Sequence, residues 1–236
     1  MYIVAFALGI LLGRARIRSS KRPIISLREF DDMVFYIVLG VIIGGRIGYS
    51  IFYDTTRLLA EPTSIFYVWQ GGMSFHGGLA GVCLALMIFA RTKGKRWLVL
   101  TDFTAPLIPL GLGAGRIGNF INGELWGRPT DASWAMVFPQ SGTLVGRHPS
   151  QLYEFFFEGV LLFIIVWVVS KKPRPLGTIS GIFLVCYGGF RFFIEFVREP
   201  DEHMGLLLAG LSMGQLLSLP LLVLGVFLLF RKNERQ

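Results

Sequence analysis

The sequence predicts an all-α, polytopic membrane protein with about seven transmembrane helices and a small irregular cap on the outer, periplasmic face. Three observations predict it. Charged residues make up 16% of the 236 residues and apolar ones 53%, where a soluble domain carries about a quarter charged residues. The apolar residues fall in blocks of roughly membrane-spanning length along the whole chain. All six lysines (Lys21, Lys93, Lys95, Lys171, Lys172, Lys232) lie in short connectors between those blocks.

Taken in order, the expected spans are about 1–13, 34–53, 75–90, 103–122, 151–169, 177–197 and 205–230. The connectors alternate. RARIRSSKR (14–22), RTKGKR (91–96), KKPR (171–174) and RKNER (231–235) are strongly basic. DTTRLLAEP (54–62), the segment Gly123 to Ser150, and REPDEH (198–203) are neutral or acidic. The positive-inside rule then puts the N-terminus outside and the C-terminus in the cytoplasm. Segment 123–150 carries Pro129, Pro139, Pro149 and several glycines and is expected to form the cap, inserted in a single integral membrane domain covering 1–236. The first block, Tyr2 to Gly13, is short for a span and lacks the basic leader and cleavage site of a signal peptide; a span cut short at its start is expected.

The net charge of +8 comes from lysines that all lie in connectors and from arginine alone elsewhere, a distribution that speaks against nucleic acid as a partner. Cys83 and Cys186 sit in apolar runs without CxxC or His/Cys spacing and read as small core residues. Neither HExxH nor a DxDxD-like run occurs, so no metal or other cofactor is expected. Residues 113–118, GAGRIG, match GxGxxG formally. A dinucleotide site needs a preceding strand and a later acid, and this motif lies inside a span.

Charges inside apolar blocks carry the functional signal. Arg46, Arg116 and Arg191 lie within or near the outer ends of spans, and Arg at mid-membrane costs on the order of 3 kcal/mol on insertion scales. One such residue would be read as snorkelling, or as paired with an internal acid such as Glu195, four residues after Arg191. Three of them, on a side without lysine, point to an anion site. Arg suits phosphate because its planar fork makes two parallel hydrogen bonds and keeps its charge when desolvated. GRIG occurs twice, at 45–48 and 115–118, as a weak internal repeat. Gly40, Gly44 and Gly48 share a helical face, as do Gly111 and Gly115, and such spacing lets helices approach closely. His76, in GGMSFHGGLAG (71–81), is either a general base, the role for which histidine is most often used, or a capping, interfacial histidine.

Five blocks give a resemblance: GGRIGYSIFYD (44–54), WQGGMSFHGGLAG (69–81), GLGAGRIGNFINGELWGRPTD (111–131), RHPSQLYEFFFEG (147–159) and YGGFRFFIEFVREPD (187–201). Together, in this order, they resemble the prolipoprotein diacylglyceryl transferases over nearly the whole chain. The resemblance implies a seven-span, N-out enzyme of the bacterial inner membrane. Its partners would be phosphatidylglycerol as donor and the lipobox cysteine of a prolipoprotein as acceptor, joined as a thioether with release of glycerol 1-phosphate. It makes Arg116 the phosphate contact, places Asn119, Glu124 and Gly127 in the same substrate block, and matches His76 to the HGG histidine. Tyr187, Arg191 and Glu195 match the YGxFRxxxEF segment. The catalytic set expected from this is His76, Arg116 and Arg191, with Arg46 attracting or holding lipid, Glu195 holding Arg191, and Glu124 ordering the cap. His76 would take the thiol proton or orient the substrate. Family members also carry an outer N-terminal segment before the position of Met1. A lipid or small-anion transporter is the alternative from another class.

Overall fold

In the computed structural model, residues 1–20, 23–199 and 210–231 are described. Lys21, most of the REPDEH connector, the start of the last expected span and Lys232 lie outside them. Every regular element among the described residues is helical, as expected. They group into two compact units, residues 14–101 and residues 1–13 with 102–236.

In the first of these, α2 (Leu27–Phe52) begins with a reciprocal cap: Ser26 accepts from the Glu29 N–H while the Glu29 carboxylate accepts from the Ser26 N–H. The helix packs against α4 (Phe75–Thr92), capped by Ser74. Between them run a short helix, α3 (Thr55–Ala60), and two 3₁₀ turns, Pro62–Phe66 and Val68–Gln70. The glycine stripe of α2 sets the α2–α4 distance. A Cβ on Gly40 would stand 2.6 Å from the Gly81 carbonyl oxygen, and one on Gly48 would stand 2.7 Å from the Gly77 Cα. The packing role expected of Gly40, Gly44 and Gly48 is thus visible. An apolar groove of about 500 Å³ runs along the same pair, lined by Tyr36, Ile43, Ile47, Leu84 and Ile88 among others.

The other unit holds the residues that α1 (Tyr2–Ser19) contributes up to Gly13, the end of α5 (Trp97–Thr104), a 3₁₀ turn (Ala105–Leu107) and α6 (Pro109–Asn122). Pro106 and Pro109 explain the break between α5 and α6, a bend of 44°, because neither supplies an N–H to continue the helix. Gly123 ends α6 in the left-handed region at φ +63°. The cap follows without a strand, held by isolated bridges between Gly127 and Arg198 and between Arg147 and both Pro129 and Met136. A continuous helical stretch, Ser150–Val169, then starts as α7 (Ser150–Glu154), widens to a π-helix over Phe155–Leu161 and closes as α8 (Leu162–Val169). Asp102 accepts from the Gly177 and Ser180 N–H groups at 2.7 and 2.8 Å, anchoring the start of α9 (Thr178–Ile194). α10 (Met213–Phe230) repeats the reciprocal cap with Ser212 and Gln215.

Three helical stretches among the described residues are long and apolar enough to cross a membrane: Leu27–Phe52, Ser150–Val169 and Met213–Phe230. The bent α5–α6 pair makes a fourth when taken as one broken span, and His76–Thr92 and Thr178–Ile194 are apolar but shorter. This is an all-α membrane architecture. The count of seven spans rests on the apolar blocks of the sequence and the alternation of the connector charges.

Candidate active site

The helical period builds the site. On α9, Tyr187, Arg191 and Glu195 recur every four residues, and Arg198 follows three later. They form one polar column along the second half of α9 and just beyond its end. Glu154 and Glu158 are also four apart, where α7 passes into the π-helix. Such widened turns recur at functional sites. Arg116 projects from α6, and Gly113 and Gly159 let α6 and the π segment meet almost backbone to backbone: a Cβ on Gly159 would lie 2.9 Å from the Gly113 Cα.

These elements bring three guanidinium groups onto three carboxylates. Arg191 Nη1 donates to Glu154 Oε1, and its Nη2 lies 2.5 Å from Glu195 Oε1. Arg116 reaches Glu154 Oε2 through Nε and Glu158 Oε2 through Nη2, both at 3.4 Å. Arg198 Nη1 stands 3.5 Å from Glu195 and 3.7 Å from Glu154. The Ser212 hydroxyl, which also caps α10, donates to Glu195 at 2.5 Å. The carboxylates are the deeper layer. Glu154 and Glu158 have no side-chain exposure, whereas Arg116 retains 19%. The layering is therefore an acidic floor under a guanidinium rim. Beyond the end of α9, burial draws Arg198 below the usual arginine value, with the Arg191 charge acting in the same sense; a guanidinium there still stays charged.

Such a site is electrically balanced and poorly hydrated. Removing one member of a buried pair leaves an uncompensated charge and costs roughly 3–5 kcal/mol. Glu154 Oε2 and Glu158 Oε1 are buried without a hydrogen-bond partner. The Arg116 contacts, at 3.4 Å, are longer than the 2.7–2.9 Å of a strong charge-assisted bond. Arg191 is held firmly and Arg116 loosely. A group with phosphate geometry would find donors on Arg116 that the carboxylates do not saturate.

Of the residues expected from the sequence, Arg116, Arg191 and Glu195 come together, and Tyr187 lies within electrostatic reach of Arg191 and Glu158. Asn119 donates to the Glu124 carboxylate at 2.9 Å, and the Glu124 carbonyl accepts from the Gln151 side chain at 2.7 Å. That stitches the end of α6 to the start of α7 beneath the cap. Gly127 is where the cap meets the chain beyond α9: a Cβ there would lie 2.6 Å from both His148 Cβ and the Val197 carbonyl oxygen. Arg147 adds an ion pair to Glu199 at 2.7 Å.

His76 and Arg46 belong to the unit of residues 14–101. His76 stands in the first turn of α4, two residues after its cap Ser74. Arg46, expected to attract or hold lipid, is instead engaged by its own chain. It is 5% exposed and donates to the carbonyls of Ser64, Ile65, Gly71 and Gly72 at 2.5, 3.1, 2.6 and 3.4 Å.

Sequence reasoning missed Glu154, Glu158 and Arg198. Their signal was available: two acids one turn apart in an apolar stretch are as costly in a membrane as an arginine. The π-helix leaves no comparable mark in the residue pattern.

A family model for prolipoprotein diacylglyceryl transferase matches residues 1–231. The chain is 55% identical over 239 residues to the phosphatidylglycerol–prolipoprotein diacylglyceryl transferase of Bordetella avium, covering 100% of this chain and 90% of the relative. It is 57% identical over 225 residues to the Bordetella bronchiseptica enzyme of the same name, covering 95% of this chain and 86% of the relative. With the Cupriavidus pinatubonensis enzyme of that name it shares 55% over 238 residues, covering 100% and 86%. Matched along nearly its whole length and more than half identical to these relatives, the chain belongs to the prolipoprotein diacylglyceryl transferase family.

Proposed function

We propose that the chain transfers the diacylglyceryl group of phosphatidylglycerol to the thiol of a lipobox cysteine, forming a thioether and releasing glycerol 1-phosphate. The observation that carries this reading is the guanidinium rim of Arg116 and Arg191 over a buried acidic floor, in a member of a family that bears this activity in its name. The enzyme works in the bacterial inner membrane with its N-terminus outside and its C-terminus in the cytoplasm, in keeping with the connector charges.

In the reaction the thiol sulfur bonds to the glycerol carbon as the carbon–oxygen bond to phosphate breaks, and the electron pair stays on the phosphate oxygen. A thiol with a pKa near 8.5 is mostly protonated at neutral pH, so a base must take its proton. His76 fills that role, an assignment that rests on the HGG match. The proton later returns to the released phosphate or to water. Arg116 and Arg191 hold the phosphate oxygens as charge develops on the leaving group, the step at which fixed donors contribute most. Glu154, Glu158 and Glu195 keep the two guanidinium planes in register. Asn119 and Glu124 brace the cap edge, with Gly127 its close contact and Tyr187 the neighbour of Arg191 on the column.

Purified protein given labelled phosphatidylglycerol and a lipobox peptide tests the reading. The product linkage should resist neutral hydroxylamine, and glycerol phosphate should appear in equal amount to modified peptide. A hydroxylamine-labile thioester, or lyso-lipid in place of glycerol phosphate, would make the chain an acyl transferase. For orientation, a reporter active only outside should work when fused after Ser141 and fail after Lys172; the reverse pattern would overturn the assignment of sides.

A further inference from the structure

Arg46 is a buried cation in a span, and among the described residues no carboxylate pairs with it. All four of its acceptors are backbone carbonyls in one loop. Gly71 and Gly72, which supply two of them, sit at φ +81° and +77°, a region that favours glycine. The Tyr49 ring lies under the guanidinium at 5.8 Å and also fills the space beside Gly72, where a Cβ would come within 2.4 Å of it. Directly after the loop, the Ser74 N–H donates to the Gly45 carbonyl at 2.9 Å. The Ser74 hydroxyl in turn accepts from the Gly77 N–H at 3.2 Å and caps α4. Gly44 and Gly48 flank this contact and let Gly77 settle onto α2. Residues 71 to 77 are therefore fixed to α2 at several points in succession, and His76 lies between the last two.

We infer that Arg46 is a positioning residue for His76, acting through the loop 64–74 rather than through lipid. Its five N–H groups in a rigid fork reach carbonyls at both ends of the loop, Ser64 and Ile65 on one side and Gly71 and Gly72 on the other. That fixes where α4 begins and how its first turn is rotated. A lysine carries the same charge on a single nitrogen and cannot span both ends. The inference rests on His76 having a part in transfer.

The experiment compares Arg46→Gln, Arg46→Lys and Gly72→Ala in the full chain, with His76→Gln alongside. Rate and KM for phosphatidylglycerol are measured, and carbethoxylation of His76 is followed by peptide mass spectrometry with His148 as internal reference. Misplacing a catalytic group by about 1 Å costs up to about a hundredfold in rate. We expect kcat in Arg46→Gln to fall by about ten- to a hundredfold, with KM for phosphatidylglycerol within about twofold. Arg46→Lys should recover little. Gly72→Ala, which disturbs the same loop while leaving Arg46 in place, should share the kcat-only pattern, and the relative reactivity of His76 should change in all three. A raised KM with unchanged kcat in Arg46→Gln would return Arg46 to lipid binding and overturn the inference. So would native kinetics in both Arg46→Lys and Gly72→Ala, which decide the matter if Arg46→Gln fails to insert. Near-native turnover by His76→Gln would sink the role given to His76 instead, and is read separately.

Discussion

The chain contains the tetrapeptide GRIG twice, and the two copies sit in opposite electrostatic surroundings. At 45–48 the arginine is enclosed by four backbone carbonyls. At 115–118 it lies over two fully buried carboxylates, with part of its side chain exposed. Carbonyl dipoles solvate a cation without cancelling its charge, and they belong to a backbone that cannot leave, so Arg46 is locked in place. Carboxylates cancel the charge and compete for the same N–H groups that a phosphate would use. Arg116 thus sits with its positive charge balanced by the acids beneath it, at 3.4 Å from each. Identical local sequence has produced an arginine held by backbone carbonyls in one unit and an arginine held over buried carboxylates in the other, the latter being the anion receptor of the proposed function.

The largest effects should come from removing receptor arginines. Arg116→Ala and Arg191→Ala each delete fixed positive charge at the phosphate, and loss of one such donor typically costs about 10²–10³ in rate. Transfer should fall below detection while the protein still inserts and extracts as a folded species. Appreciable turnover in Arg191→Ala, measured by glycerol phosphate release, would place the phosphate elsewhere. Arg116→Lys should be nearly as poor, down by about a hundredfold, because a point charge cannot make the paired contact.

A smaller effect makes the two GRIG sites more alike. Glu158→Gln replaces a carboxylate beneath Arg116 with a neutral carbonyl acceptor, the kind of partner that surrounds Arg46. The acidic floor then competes less for the guanidinium. KM for phosphatidylglycerol should drop severalfold, and inhibition by added glycerol phosphate should strengthen. Turnover should slow as the product leaves less readily. If instead KM rises, Glu158 orients Arg116 and does not restrain it.

Much of this contrast was open to sequence reasoning, and the remainder has a physical cause. The apolar blocks and the connector charges located the helices, because hydropathy and length constrain a bilayer span directly. Arg191 and Glu195 fell on one face through their four-residue spacing, and Tyr187 joined them through the resemblance. Arg46 and Arg116, by contrast, were indistinguishable. Each follows a glycine inside an apolar block, and the difference lies in what the fold delivers to them: a distant loop's carbonyls in one case, two acids of another helix in the other. Glu154 and Glu158 were legible as charges out of place, but their alignment beneath Arg116 and Arg191 depends on the π turn. That turn adds no distinctive residue to FFFEGVL.

The glycines of the two motifs give the finest test of the comparison, and the smallest effect. Gly48 touches α4 so closely that a methyl group would lie 2.7 Å from the Gly77 Cα. Backbone cannot move aside as a side-chain tip can, so Gly48→Ala should cost about 1–3 kcal/mol, the usual range for overpacking. Gly115, which matches Gly45 and stands directly before Arg116, has no heavy atom from outside its own stretch of helix within 4 Å of its would-be Cβ. There an alanine meets open space and brings only its better helix propensity, worth up to about 1 kcal/mol. Thermal unfolding in detergent should therefore show a lowered midpoint for Gly48→Ala and an unchanged or slightly raised one for Gly115→Ala. Gly45→Ala should fall between them, because the one close contact of its methyl would be the flexible end of the Met73 side chain, 2.6 Å away, with the Ser74 carbonyl oxygen at an ordinary 3.6 Å. A clear loss of stability in Gly115→Ala would mean that the space at Gly115 is filled by packed chain and would remove the contrast between the two copies.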